Sequence, residues 1–125
     1  MKNKILIIED EKIITKSLQK LLQEKGYEVT IAYGGADALT KIQNDDFHMI
    51  VCDIRMPEMD GIETIKSIRD FRQKQGKAPI PEVFITGFVD EDKYKSAVNL
   101  KVAGYLHKPF DTNEFLEIIE RNLDT

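Results

Sequence analysis

Short apolar runs that alternate with longer helix-periodic segments constrain this chain more than any other feature. Lys4–Ile8 (KILII) is too short for a helix and predicts a buried strand. Glu11 to Lys25 follows with Ile14, Leu18, Leu21 and Leu22 at helical spacing, and Gly26 is its stop signal. Tyr27 to Ala32 (YEVTIA) is rich in β-formers, and Ala36 to Ile42 predicts a short helix after Gly34-Gly35. Met49 to Cys52 (MIVC) is a fully apolar strand, and Ile62, Ile65 and Ile68 stripe a helix after Asp60-Gly61. Val83 to Thr86 (VFIT) is the next strand, and Tyr94, Ala97 and Val98 predict a helix from near Asp90. Gly104 to His107 (GYLH) is a last short strand. Phe115, Ile118 and Ile119 mark a final helix, with Asp111 and Glu114 spaced as a capping box.

Strands that are apolar throughout need cover on both faces. Alternation with helices therefore predicts an α/β, doubly wound parallel sheet. A length of 125 residues suits a single domain over 1–125. The Arg72 to Glu82 stretch, polar with two prolines, reads as a connection. The formal net charge of −4 argues against a nucleic-acid-binding face, which needs cations to meet phosphates. No apolar stretch approaches the roughly 20 residues of a membrane span. The apolar run after Met1 is too short for a signal peptide, and Cys52 has no second cysteine to pair with. Together these predict a cytoplasmic protein. Met1 close before the first strand suggests a domain that opens its protein.

In open parallel sheets, ligands bind beyond the carboxyl ends of the strands. Glu9-Asp10-Glu11 follow the first run, and Asp53 ends the third. Thr86 ends the fourth, and Lys108-Pro109 follow the fifth. Crowded carboxylates repel and raise at least one pKa unless a cation sits among them. Hard oxygen donors suit Mg²⁺, which keeps places for waters or phosphate oxygens. A lysine and a hydroxyl beside it can neutralise the oxygens of a transferring phosphoryl group. One carboxylate can then attack phosphorus and become an aspartyl phosphate. Asp53, central in the sheet, is the candidate nucleophile.

The segments IIEDE, VCDIRMPEMDG, VFITG and GYLHKPF, in this order and spacing, closely resemble the receiver (CheY-like) domain of bacterial two-component response regulators. The resemblance runs from Lys4 to about Leu123. It implies a (βα)5 flavodoxin-like fold of strand order 2-1-3-4-5, with Asp53 as phosphoacceptor. It implies Mg²⁺ held by Asp10, by Glu9 directly or through water, by Asp53 and by the backbone carbonyl of Arg55. Lys108, Thr86 and Gly87 would meet the phosphoryl group, and Lys108-Pro109 would be cis. Thr86 would be the switch hydroxyl and Tyr105 its coupled aromatic. A histidine kinase or histidine phosphotransfer protein would be the donor. A downstream effector, or a second copy of the chain, would bind the face made by the fourth helix, fifth strand and fifth helix, near Lys95 and Tyr105. Glu9 stands where Asp is frequent, and Gly87 where Ala is common, which predicts a wider site mouth. Arg55 and Phe88 would flank the site and tune water access.

Blander readings stand beside these. A strand-end Asp such as Asp53, taken alone, is a turn or cap acid. Glu11 suits the first turn of a helix, where acids meet the dipole. Tyr105 reads equally as an amphipathic rim residue. Cys52 reads as a small buried apolar group, and His48 and His107 lack metal-ligand spacing. A metal-dependent phosphohydrolase with an aspartyl-phosphate intermediate is the alternative enzyme class. Its haloacid-dehalogenase-type form needs an acid two residues after the nucleophile, where this chain has Arg55. A pseudo-receiver that only binds partners is the third reading, and the complete set of acids, Thr86 and Lys108 argues against it.

Overall fold

A computed structural model describes residues 3–87 and 91–123. Its strands are β1 (Lys4–Ile8), β2 (Glu28–Ala32), β3 (Met49–Asp53), β4 (Glu82–Thr86) and β5 (Gly104–His107). Its helices are α1 (Lys12–Glu24), α2 (Gly35–Asn44), α3 (Gly61–Lys74), α4 (Glu91–Asn99) and α5 (Thr112–Leu123). The sheet is parallel throughout, in the order β2-β1-β3-β4-β5. This is the doubly wound order that the resemblance implies. The predicted start of α4 near Asp90 lies outside the described residues.

The apolar runs are uninterrupted because successive side chains enter different cores. Leu6, Ile8, Ile50, Cys52 and Phe84 join Ile65 of α3 and Ala97 of α4 on one face. Ile5, Ile7, Met49, Val51, Val83 and Ile85 join Leu18 of α1 and Phe115 of α5 on the other. This is the period-two geometry of a strand with both faces covered. Each fully buried Ile or Leu contributes about 1.5–3 kcal/mol relative to exposure.

Boundaries shift by one or two residues for local reasons. β2 starts at Glu28, one residue later than expected, because the Tyr27 N–H still closes α1 by donating to Leu22 O. Gly26, at φ 90°, donates to Gln23 O in the same C-terminal motif. α5 begins as its capping-box spacing predicts, with the Glu114 N–H donating to Asp111 Oδ1 at 2.7 Å. Asp60 caps α3 by accepting the Glu63 N–H at 2.9 Å. Gly61 is needed for close approach: a Cβ there would stand 2.2 Å from the carbonyl oxygen of Asp53. The β3–α3 turn therefore packs directly on the strand end that presents Asp53. The Lys108-Pro109 bond is cis, as expected.

Candidate functional site

The carboxyl edge of the sheet brings together residues from three separate strand ends. Carboxylate oxygens of Glu9, Asp10 and Asp53 lie within 4.8 Å of one another. Glu9 is fully buried and Asp53 nearly so, while Asp10 is partly exposed. Lys108, carried in from the end of β5, places Nζ 3.0 Å from Glu9 Oε2 and 3.3 Å from Asp53 Oδ2. The other Asp53 oxygen, Oδ1, accepts the Arg55 N–H at 3.3 Å, and Glu9 Oε1 accepts the Glu11 N–H at 3.2 Å.

The electrostatics follow from burial. Removal from water, and then the neighbouring Asp53 charge, push the Glu9 carboxyl up to about 7, against the Lys108 hydrogen bond that pulls it down. Burial alone would lower the Lys108 ammonium, but the Glu9 hydrogen bond and the Asp53 charge outweigh it and hold Lys108 above its ordinary value. A buried carboxylate that resists ionisation beside two others is a site short of positive charge. That condition, with an all-oxygen donor set, fits a hard divalent cation such as Mg²⁺.

The remaining expected residues sit around this cluster. Thr86 is buried at the last position of β4, on the strand next to Asp53. Arg55 is exposed on the β3–α3 loop. An added methyl at Gly87 would stand 3.4 Å from Lys108 Cβ and Cδ. The lysine stem thus lines the space that a wider mouth would open. Tyr105 is half-buried, stacks on Phe84 with ring centroids 6.2 Å apart, and donates its hydroxyl to Ala97 O of α4 at 2.6 Å. Phe88 lies outside the described residues. Cys52 is buried, and its thiol is pushed up by burial. His48 Nδ1 accepts backbone N–H groups of Asn3 and Lys4, a structural task that sequence spacing does not reveal.

Two participants escape a reading of the sequence. Glu11, assigned only to the helix dipole, also reaches Lys108 Nζ at 3.7 Å. Lys93 of α4 pairs with Asp60, linking the start of α4 to the cap of α3 across the site mouth. Their partners lie 97 and 33 residues away, and no local pattern encodes either pairing.

The family described as response regulator receiver domain matches residues 5–120. The transcriptional regulatory protein CrdR of Helicobacter pylori is 34% identical over 122 residues, covering 97% of this chain and 55% of CrdR. The transcriptional regulatory protein ZraR of Salmonella typhimurium is 35% identical over 119 residues, covering 95% of this chain and 26% of ZraR. The chain thus spans about half of the one relative and a quarter of the other. Among solved structures, a CheY-like receiver domain protein from Methanospirillum hungatei superposes with TM-score 0.88 at 29% identity, over 99% of this chain and 95% of that one. The chemotaxis protein CheY4 of Vibrio cholerae gives 0.85 at 31%, over 98% and 100%. With its strand order, its acidic pocket and this match along nearly all its length, the chain belongs to the response regulator receiver domain family.

Proposed function

We propose that Asp53 accepts a phosphoryl group from a histidine kinase or a histidine phosphotransfer protein, and that the chain acts as the phosphorylation-dependent switch of a two-component system. The observation that carries this is the Lys108 ammonium bonded to both Glu9 and Asp53 inside a three-carboxylate pocket. An Asp53 oxygen gives its lone pair to phosphorus, and the bond from phosphorus to the donor's imidazole nitrogen breaks with its electrons going to nitrogen. In this reading Lys108, bonded to Glu9 and Asp53, turns from carboxylate to phosphoryl oxygen as charge moves outward. Mg²⁺ held by Glu9, Asp10, Asp53 and the Arg55 carbonyl would add positive charge beside those oxygens. Thr86 supplies a hydroxyl donor from the adjacent strand, and Gly87 leaves the backbone open beside it.

The output follows from the same face of the sheet. Phe84 and Thr86 pair in register with Tyr105 and His107, and Tyr105 is bonded to α4. A Thr86 hydroxyl drawn to the phosphoryl group frees space beside Tyr105 and biases α4, β5 and α5 as a partner-binding face. One charge-assisted hydrogen bond contributes about 1.5–3 kcal/mol, enough to shift a population and too little to lock it.

Acetyl phosphate with Mg²⁺, followed by intact mass, tests the reading. The parent should gain one hydroxylamine-labile phosphate, and Asp53→Asn none. Catalytic turnover of a phosphate monoester such as p-nitrophenyl phosphate would favour the phosphohydrolase reading instead.

A further inference from the structure

A second cavity, of about 680 Å³, opens at the other end of the sheet, where β4 and β5 begin. It is separated from Asp53 by the length of β4, roughly 13 Å along the strand. Its walls come from the end of α3, from the polar 72–82 connection and from the turn after α4. Ile68, Pro79, Ile80 and Ala103 make it apolar.

Its charge is opposite to that of the whole chain. Arg69, Arg72, Lys77 and Lys101 line it, with Glu82 as the acid among the lining residues. Glu82 is neutralised by a two-pronged pair with Arg69, at 2.5 and 2.9 Å. Asp46, outside the lining, is shared between Lys77 at 3.2 Å and Arg72 at 3.6 Å. Arg72 is mostly buried: its Nη2 donates to Ala78 O, its Nη1 is the atom 3.6 Å from Asp46 Oδ1, and its Nε has no hydrogen-bond partner among the described residues. A protein of net charge −4 has concentrated cations around one apolar hollow of small-molecule size.

We propose that this cavity binds a small organic anion: a carboxylate carried on an apolar body. The apolar body lies against Ile68, Pro79, Ile80 and Ala103, and the carboxylate faces Lys77 and Lys101. Sulfates or inorganic phosphate have no apolar part to use the walls, and neutral apolar molecules leave the cations unmatched.

The test is an amide chemical-shift titration of the parent with 4-phenylbutyrate and with its neutral analogue 4-phenyl-1-butanol. Saturable shifts confined to residues 68–82 and 101–103 are expected for the carboxylate. The alcohol should bind about tenfold more weakly, and the Lys77→Gln/Lys101→Gln variant should lose about tenfold in affinity for the carboxylate. Lys77 and Lys101 are exposed, so the variant keeps its fold, which its unperturbed spectrum verifies. The proposal is overturned by an absence of saturable shifts, by equal binding of the alcohol, by unchanged affinity in the double variant, or by shifts centred on Glu9 and Asp53.

Discussion

Lys108 Nζ stands 3.0 Å from Glu9 Oε2, joining the end of β5 to the end of β1 across a pocket that also holds Asp53. The pair crosses the whole site, and it is the cation that makes the buried acids tolerable. Lys108→Gln should therefore lower stability by about 1–3 kcal/mol at pH 8 in the presence of EDTA. It should also slow phosphate uptake from acetyl phosphate by at least about tenfold. Urea melts and intact-mass time courses measure the two effects. An unchanged urea midpoint would show that the lysine does not neutralise the pocket.

Glu9 gives the site a pH signature. Its folded value of about 7 is above its ordinary 4.5, so the native state holds a proton that the unfolded state has lost between those values. Stability therefore falls as pH rises through this window, and the loss is complete above about 7. Lys108, raised above 10.5, stays charged throughout and adds no slope there. In EDTA the parent should melt several degrees lower at pH 8 than at pH 5.5, for a domain of this size. Glu9→Gln should flatten the difference attributable to this site, and millimolar Mg²⁺ should restore the parent at pH 8. A parent and Glu9→Gln with parallel pH profiles would refute the assignment.

Thr86→Ala should accept phosphate on Asp53 but relay it poorly. The hydroxyl is buried on β4 beside the strand that carries Tyr105. Amide shifts in α4 and α5 on beryllofluoride treatment should be strong in the parent and weak in the variant. Equal shifts in both would move the relay to another route.

Gly61→Ala tests whether the β3–α3 turn positions Asp53. The added methyl would press on the Asp53 carbonyl oxygen, part of a backbone that cannot swing aside. A loss of about 1–3 kcal/mol is expected from overpacking, with slower phosphorylation because the strand end moves. Full stability together with full phosphate uptake would show that the turn has room to spare.

Short-range pattern sets the layers and the edge at which the chemistry gathers. Runs such as ILII (5–8) and MIVC (49–52) are apolar at every position, and only a sheet covered on both faces buries them. Acids, hydroxyl and lysine at the ends of the first, third, fourth and fifth strands then fall on one edge of a parallel sheet. Helix ends are equally local: Gly26 closes α1 through its own backbone, and Asp60 opens α3 through its side chain.

What depends on distant neighbours is set by contacts between segments far apart in the chain. Strand order came from resemblance, because periodicity says nothing about which strands pair. The shift of Glu9 needs its complete burial beside Asp53. Glu11 and Lys93 gained partners far along the chain, and Gly61 proved to be a packing glycine where the sequence showed a turn. The basic cavity could not be read from RQKQGKAPIPE alone, since Arg69 and Lys101 reach it from outside that stretch. Hydrophobic pattern and capping are encoded within a few residues. Electrostatics and close packing arise only where segments far apart in sequence meet.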